Sequence, residues 1–174
     1  MIPGFIITWL TFPGVIVHEF AHKLFCHWTH TKVLKVCYFR FGNPAGYVIH
    51  EIPPSVWHHV WIGIGPLFVN TFVGFLIGLL IIPLKQAHGD TADFTAIVVT
   101  WLAVSIAMHS FPSTGDAKSI WAAIWSRRAP VSARIFGTPL VGLIYLGAAG
   151  SIFWLDLIYG VGVVVGLPHL MGLA

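Results

Sequence analysis

Four apolar stretches alternate with shorter polar links along this chain. They run from about Ile2 to Phe25, from about Val56 to Leu84, from about Phe94 to Phe111, and within Ile135 to Met171. A bilayer core of ~30 Å needs ~20 apolar residues per helical crossing, and each stretch is long enough. Pro66 predicts a kink in the second. The fourth could be one long tilted helix or a broken one; it is too short for two comfortable spans and is read as one. The link after the first stretch breaks the pattern. "KVLKVCYFRFGNPAGYVIHEIP", residues 32–53, is rich in Val, Tyr, Phe and Ile and is interrupted by "GNPAG". That combination predicts a β-hairpin, roughly 33–41 and 46–52. Open strand edges are not tolerated against lipid, so the hairpin must lie at the interface or be sheltered by helices. After the third stretch, "GDAKSIWAAIWSRRAP" reads as a short amphipathic helix on the cytoplasmic surface. The expected fold class is an all-α polytopic membrane protein of about four transmembrane helices, with a β-hairpin between the first and second.

Composition agrees with that pattern. Of 174 residues, 57% are hydrophobic and 9% charged, and the mean hydropathy is +0.85. Soluble domains carry about 25% charged residues. The length suits a single membrane-embedded domain over residues 1–174. The net charge of +3 comes from basic residues in the links, so no nucleic-acid partner is expected. Cys26 and Cys37 make no disulfide framework. The apolar N-terminus lacks a basic n-region and a small-residue cleavage site, and reads as a retained helix. Lys32, Lys35 and Arg40 lie in the first link, and Lys118, Arg127, Arg128 and Arg134 in the third; the second holds Lys85 beside Asp90 and Asp93. The positive-inside rule then puts the first and third links in the cytoplasm and both termini on the opposite side.

Against this background His18, Glu19 and His22 are conspicuous. They form an H-E-x-x-H inside the first apolar stretch, and charge or imidazole in hydrocarbon is costly. On a helix, residues i and i+4 project from nearly one face, so the two imidazoles can share one zinc at ~2.0–2.1 Å each. Glu19 lies between them in angle, close enough to take a proton from water at the metal. Mutual satisfaction around an ion offsets the transfer cost. Zinc hydrolases take a third protein ligand and keep an open fourth position. Glu51 is followed by "IPP" in the hairpin region, and Asp90 and Asp93 fall on the wrong side. Asp116 follows the third stretch on the motif's side, with Pro112 and Gly115 able to bend the chain and aim its carboxylate inward. Asp156 and His109 are its rivals. His18, His22, Cys26 and His30 form an i+4 ladder that drifts ~40° per step, so the four cannot converge on one ion.

"FPGVIVHEFAHKLF", "GPLFVN" and "SFPSTGDA" on successive apolar segments resemble the site-2 protease family of intramembrane zinc metalloproteases. The resemblance covers about residues 5–120, a core of about 1–120, with the C-terminal region of about 135–171 as an extra transmembrane element and no room for accessory domains. It implies a metalloendopeptidase with one catalytic Zn2+ held by His18, His22 and Asp116, and with Glu19 as base. Its substrate would be a peptide bond in or near the transmembrane segment of another membrane protein. Asn70, a buried amide needing partners, either bonds helix to helix or donates to the oxyanion of a scissile carbonyl; the resemblance favours the second. The hairpin could receive an unwound substrate as an added strand. Two other readings remain: a non-catalytic zinc-binding relative that acts as a partner-binding scaffold, and a metal transporter.

Overall fold

The computed structural model describes residues 4–87 and 89–173. The expected start of the first helix at Ile2 lies outside those residues. Among the described residues, Val56–Gln86, Asp90–Met108 and Val131–Phe153 are long and apolar enough to cross a membrane. The first apolar segment is helical but divided. α1 (Gly4–Leu10) and α2 (Phe12–Trp28) meet at Thr11. Pro13 has no N–H to give the Trp9 carbonyl four residues back, which loosens the ladder there. Thr11 steadies the joint by donating both its N–H (2.9 Å) and its hydroxyl (2.7 Å) to the Ile7 carbonyl.

The hairpin forms where expected and is shorter. β1 (Val33–Cys37) pairs antiparallel with β2 (Tyr47–His50), Val36 opposite Val48 and Cys37 opposite Tyr47. Beyond the strands the chain stays close, with Arg40 N–H donating to the Ala45 carbonyl at 2.7 Å. α3 (Val56–Leu79) runs into a short α4 (Ile81–Gln86), and α5 (Asp90–Met108) follows. α3 packs against both α2 and α5. Glycines in "GIGP" make the α3 contacts close. A Cβ at Gly65 would lie 2.5 Å from the Phe25 ring of α2. One at Gly63 would lie 2.6 Å from Ile120 Cδ1 on α6 (Thr114–Ile124). α6 and α7 (Val131–Gly150) enclose an apolar core of Val60, Ala117, Ile120, Ile124, Val141 and Ile144.

In the C-terminal region the broken form of the fourth segment replaces the single tilted helix. α7 ends at Gly150, one 3-10 turn follows, and Trp154 adopts left-handed backbone angles (φ 63°). α8 (Leu155–Val161) then runs on through a widened π turn at 162–166 into α9 (Leu167–Leu170). This second piece returns along α5. Gly160 sits against Met108, where a Cβ would lie 3.0 Å from its backbone nitrogen, and Gly78 of α3 sits equally close to the Val164 carbonyl. Small residues thus let a helix too short to be counted as a span seat itself among the others. α9 ends beside α4, so the bundle has two distinct ends: one holds the start of α3, α6 and the hairpin, the other holds α4 and α9.

Candidate metal centre

His18 and His22 lie on one face of α2, one turn apart, as their spacing requires. Their Nε2 atoms are 3.1 Å apart, and His22 Nε2 is 3.5 Å from Asp116 Oδ1. The three side chains offer ligand atoms that all lie within 4.8 Å of one another. Two bonds of ~2.0–2.1 Å at the tetrahedral angle separate ligand atoms by about 3.3 Å, so the spacing suits one ion.

The hydrogen bonds on the far side of each ring settle what faces that point. His18 Nδ1 is 2.7 Å from the His109 carbonyl, and His22 Nδ1 is 2.8 Å from the Ile62 carbonyl. A carbonyl only accepts, so both Nδ1 atoms carry the proton. In a neutral ring Nε2 then keeps its lone pair. Two lone pairs facing each other at 3.1 Å repel unless a cation lies between them. The donor set therefore fits a metal on its own chemistry. This pattern of outer carbonyls fixing the tautomer is how metal-bound histidines are usually held.

Both carbonyls are available for a sequence reason. Ile62 stands four residues before Pro66, which has no N–H to bond it. His109 caps the C-terminal end of α5, where carbonyls lack intrahelical donors. Pro66, expected only as a kink, thus also frees the acceptor that orients His22.

Asp116 is aimed by a capping box. Ser113 is the N-cap of α6, and its N–H and hydroxyl each donate to Asp116 Oδ2 at 2.7 Å. The Ser113 hydroxyl oxygen accepts the Asp116 N–H at 3.2 Å. That leaves Oδ1 for His22. Burial alone would raise the Asp116 carboxyl, but His22, His18 and the Ser113 hydrogen bonds outweigh it and hold the group below the usual carboxylate range. Asp116 is therefore ionised at neutral pH, the form a metal binds.

Glu19 is only 8% exposed and lines the same cavity of about 720 Å³. The hairpin turn presses on it: a Cβ at Gly46 would lie 2.6 Å from Glu19 Cγ and 3.0 Å from the Tyr38 carbonyl. Tyr47, Val48 and His50 of β2 form part of the cavity wall, so the hairpin is sheltered against the helices.

The other candidates fall elsewhere. Asn70 is fully buried and does not line the cavity. Its amide nitrogen donates to the Gly14 and Ile106 carbonyls, both at 3.1 Å, which ties α2, α3 and α5 together. Of the two readings of Asn70, these bonds are the helix-to-helix one, and its amide oxygen has no hydrogen-bond partner among the described residues. His109 lines the cavity but bonds the Ser105 carbonyl through Nδ1 (3.0 Å) and serves His18 through its own carbonyl. Asp156 also lines the cavity, without joining the three ligand atoms. Cys26 packs in an apolar cluster with Phe25 and Ile62. Sequence reasoning passed over Ser113, although S-x-x-D before an apolar helix is a capping-box signal. Comparison with protein-family models, with curated proteins and with solved structures finds no match for this chain.

Proposed function

We propose that the chain is an intramembrane zinc endopeptidase resembling the site-2 proteases, cutting a peptide bond in or near the transmembrane segment of another membrane protein. The observation that carries this reading is the convergence of both motif imidazoles, by their lone pairs, with one carboxylate beside a buried glutamate. Three apolar helices of spanning length support a bilayer setting, and the basic residues of the first and third links favour a cavity on its cytoplasmic side.

His18, His22 and Asp116 would hold the ion. When bound, zinc supplies Lewis acidity: it polarises a carbonyl and acidifies water. The rest falls to the protein. Glu19, walled in by the Gly46 turn, accepts the proton of the attacking water and returns it to the departing amine. His18 and His22 keep their proton on Nδ1 throughout, held by the His109 and Ile62 carbonyls. The substrate segment would have to unwind before cleavage, since a helical carbonyl is already hydrogen-bonded and shielded.

Glu19→Gln tests the reading. The variant keeps bound zinc and loses cleavage of a membrane substrate by several orders of magnitude. Cleavage at the wild-type rate would remove Glu19 as the base. Several weakly held ions per chain, in place of about one tight ion, would favour a transporter.

A further inference from the structure

The cavity beside the metal centre carries one carboxylate that nothing yet described uses. Asp156 sits in the first turn of α8 and faces the cavity near the end of α5, with Phe111 and Ser151 among its neighbours on the wall. Its Oδ1 accepts the Leu157 N–H at 2.9 Å, and that is its one hydrogen bond among the described residues. That bond explains why the helix start accepts an aspartate. It does not explain why the side chain turns to the cavity.

No lysine or arginine is among the described residues that line the cavity. Among the described residues the ion pairs join His22 to Asp116 and Lys32 to Glu51, and neither includes Asp156; its titratable neighbour is the His109 imidazole, whose Nδ1 is already bonded to the Ser105 carbonyl. A dication bound by His18, His22 and Asp116 is balanced by Asp116 and Glu19 together. Asp156 is then the cavity carboxylate that faces neither the ion nor a lysine or arginine among the described residues. An unpaired carboxylate in an otherwise apolar segment is costly, and the natural partner is a cation delivered from outside.

Resting on the proposed peptidase reading, the geometry points to Asp156 as a specificity-determining residue, selecting substrates with a lysine or arginine a few residues from the scissile bond. The Phe111 ring offers an apolar surface for the alkyl stem, and the carboxylate takes the charged head. The substrate class is thus narrower than apolar segments at large. It is a membrane segment whose edge or unwound stretch brings a basic side chain into the cavity.

The test uses binding, so it does not depend on turnover. The zinc-loaded full chain in detergent is titrated with apolar peptide hydroxamates, which anchor on the metal. One position at a time, up to four residues either side of the anchor, is set to lysine, norleucine or glutamate. At one position lysine is expected to bind more tightly than norleucine by on the order of tenfold, and glutamate more weakly. Asp156→Asn should bring the lysine-to-norleucine ratio at that position to about one, and Asp156→Lys should reverse the order in favour of glutamate. Equal affinities at every position in a zinc-loaded wild-type chain overturn the proposal and leave the peptidase reading standing. A chain that takes up no zinc overturns that reading and the proposal with it. An unchanged ratio in Asp156→Asn would move the selection to another residue.

Discussion

Replacing Ser113 by alanine removes one oxygen that serves Asp116 twice. That hydroxyl donates to Oδ2 at 2.7 Å and accepts the Asp116 N–H at 3.2 Å. The backbone N–H of residue 113 still donates to Oδ2 at 2.7 Å, so the carboxylate keeps one of two restraints. Loss of an N-cap costs about 1 kcal/mol, within a range of roughly 0.5–2. Most of that falls on the first turn of α6, because Ile120 and Ile124 still anchor the helix in the core. Partners that orient a ligand are worth roughly 10- to 100-fold in metal affinity. With half the support kept, the expected loss is about tenfold, which corresponds to ~1.4 kcal/mol. Competition with a chromophoric chelator measures the affinity, and thermal unfolding of the metal-free protein separates the cap from the ligand effect. Ser113→Thr keeps the hydroxyl and should restore most of the affinity. A Ser113→Ala protein that binds zinc as tightly as wild type would show that Asp116 needs no aiming, and would sink the account of the third ligand.

Gly46→Val should lower the cleavage rate by tenfold or more at unchanged zinc content, because the new Cβ would lie 2.6 Å from Glu19 Cγ with the Tyr38 carbonyl behind it; wild-type turnover would mean the hairpin does not confine the base. Asn70→Ala should destabilise the fold by about 1–3 kcal/mol through the loss of two hydrogen bonds that join the helices, each worth about 0.5–1.5, seen as a lower Tm. An oxyanion donor would instead lose 100- to 1000-fold in kcat at unchanged Tm, and that result would support the substrate role. Pro66→Ala returns an N–H that competes with His22 for the Ile62 carbonyl. Zinc affinity measured with the same chelator should fall severalfold, and no change would remove the link between the proline and the site.

Much of the site could be read from residue order because helical spacing is rigid. His18 and His22 had to share a face, and Asp116 had to lie at their end of the bundle once the basic links were counted. The apolar spans are visible for the same reason: length and composition decide them. What escaped was decided by tertiary partners. Asn70 could equally serve a substrate or neighbouring helices, and only the approach of Gly14 and Ile106 carbonyls settles its bonds. The break before α8 lies at Trp154, a residue type with no preference for left-handed angles, so no turn signal announces it. The returning helix is held instead by Gly160 against Met108, a contact that becomes visible only when both helices are in place. Ile62 stands between these cases. Pro66 marks its carbonyl as free, but not which side chain takes it.

The two carbonyls that receive His18 and His22 belong to different helices, α3 and the end of α5. Alone in a bilayer, α2 has nothing to choose between its imidazole tautomers, and its motif is a poor receptacle for a dication. The choice is made only when both neighbours have docked. Capture of an ion by the His18-His22-Asp116 group would therefore be tied to completion of the bundle, and a half-assembled chain would offer it no oriented lone pairs.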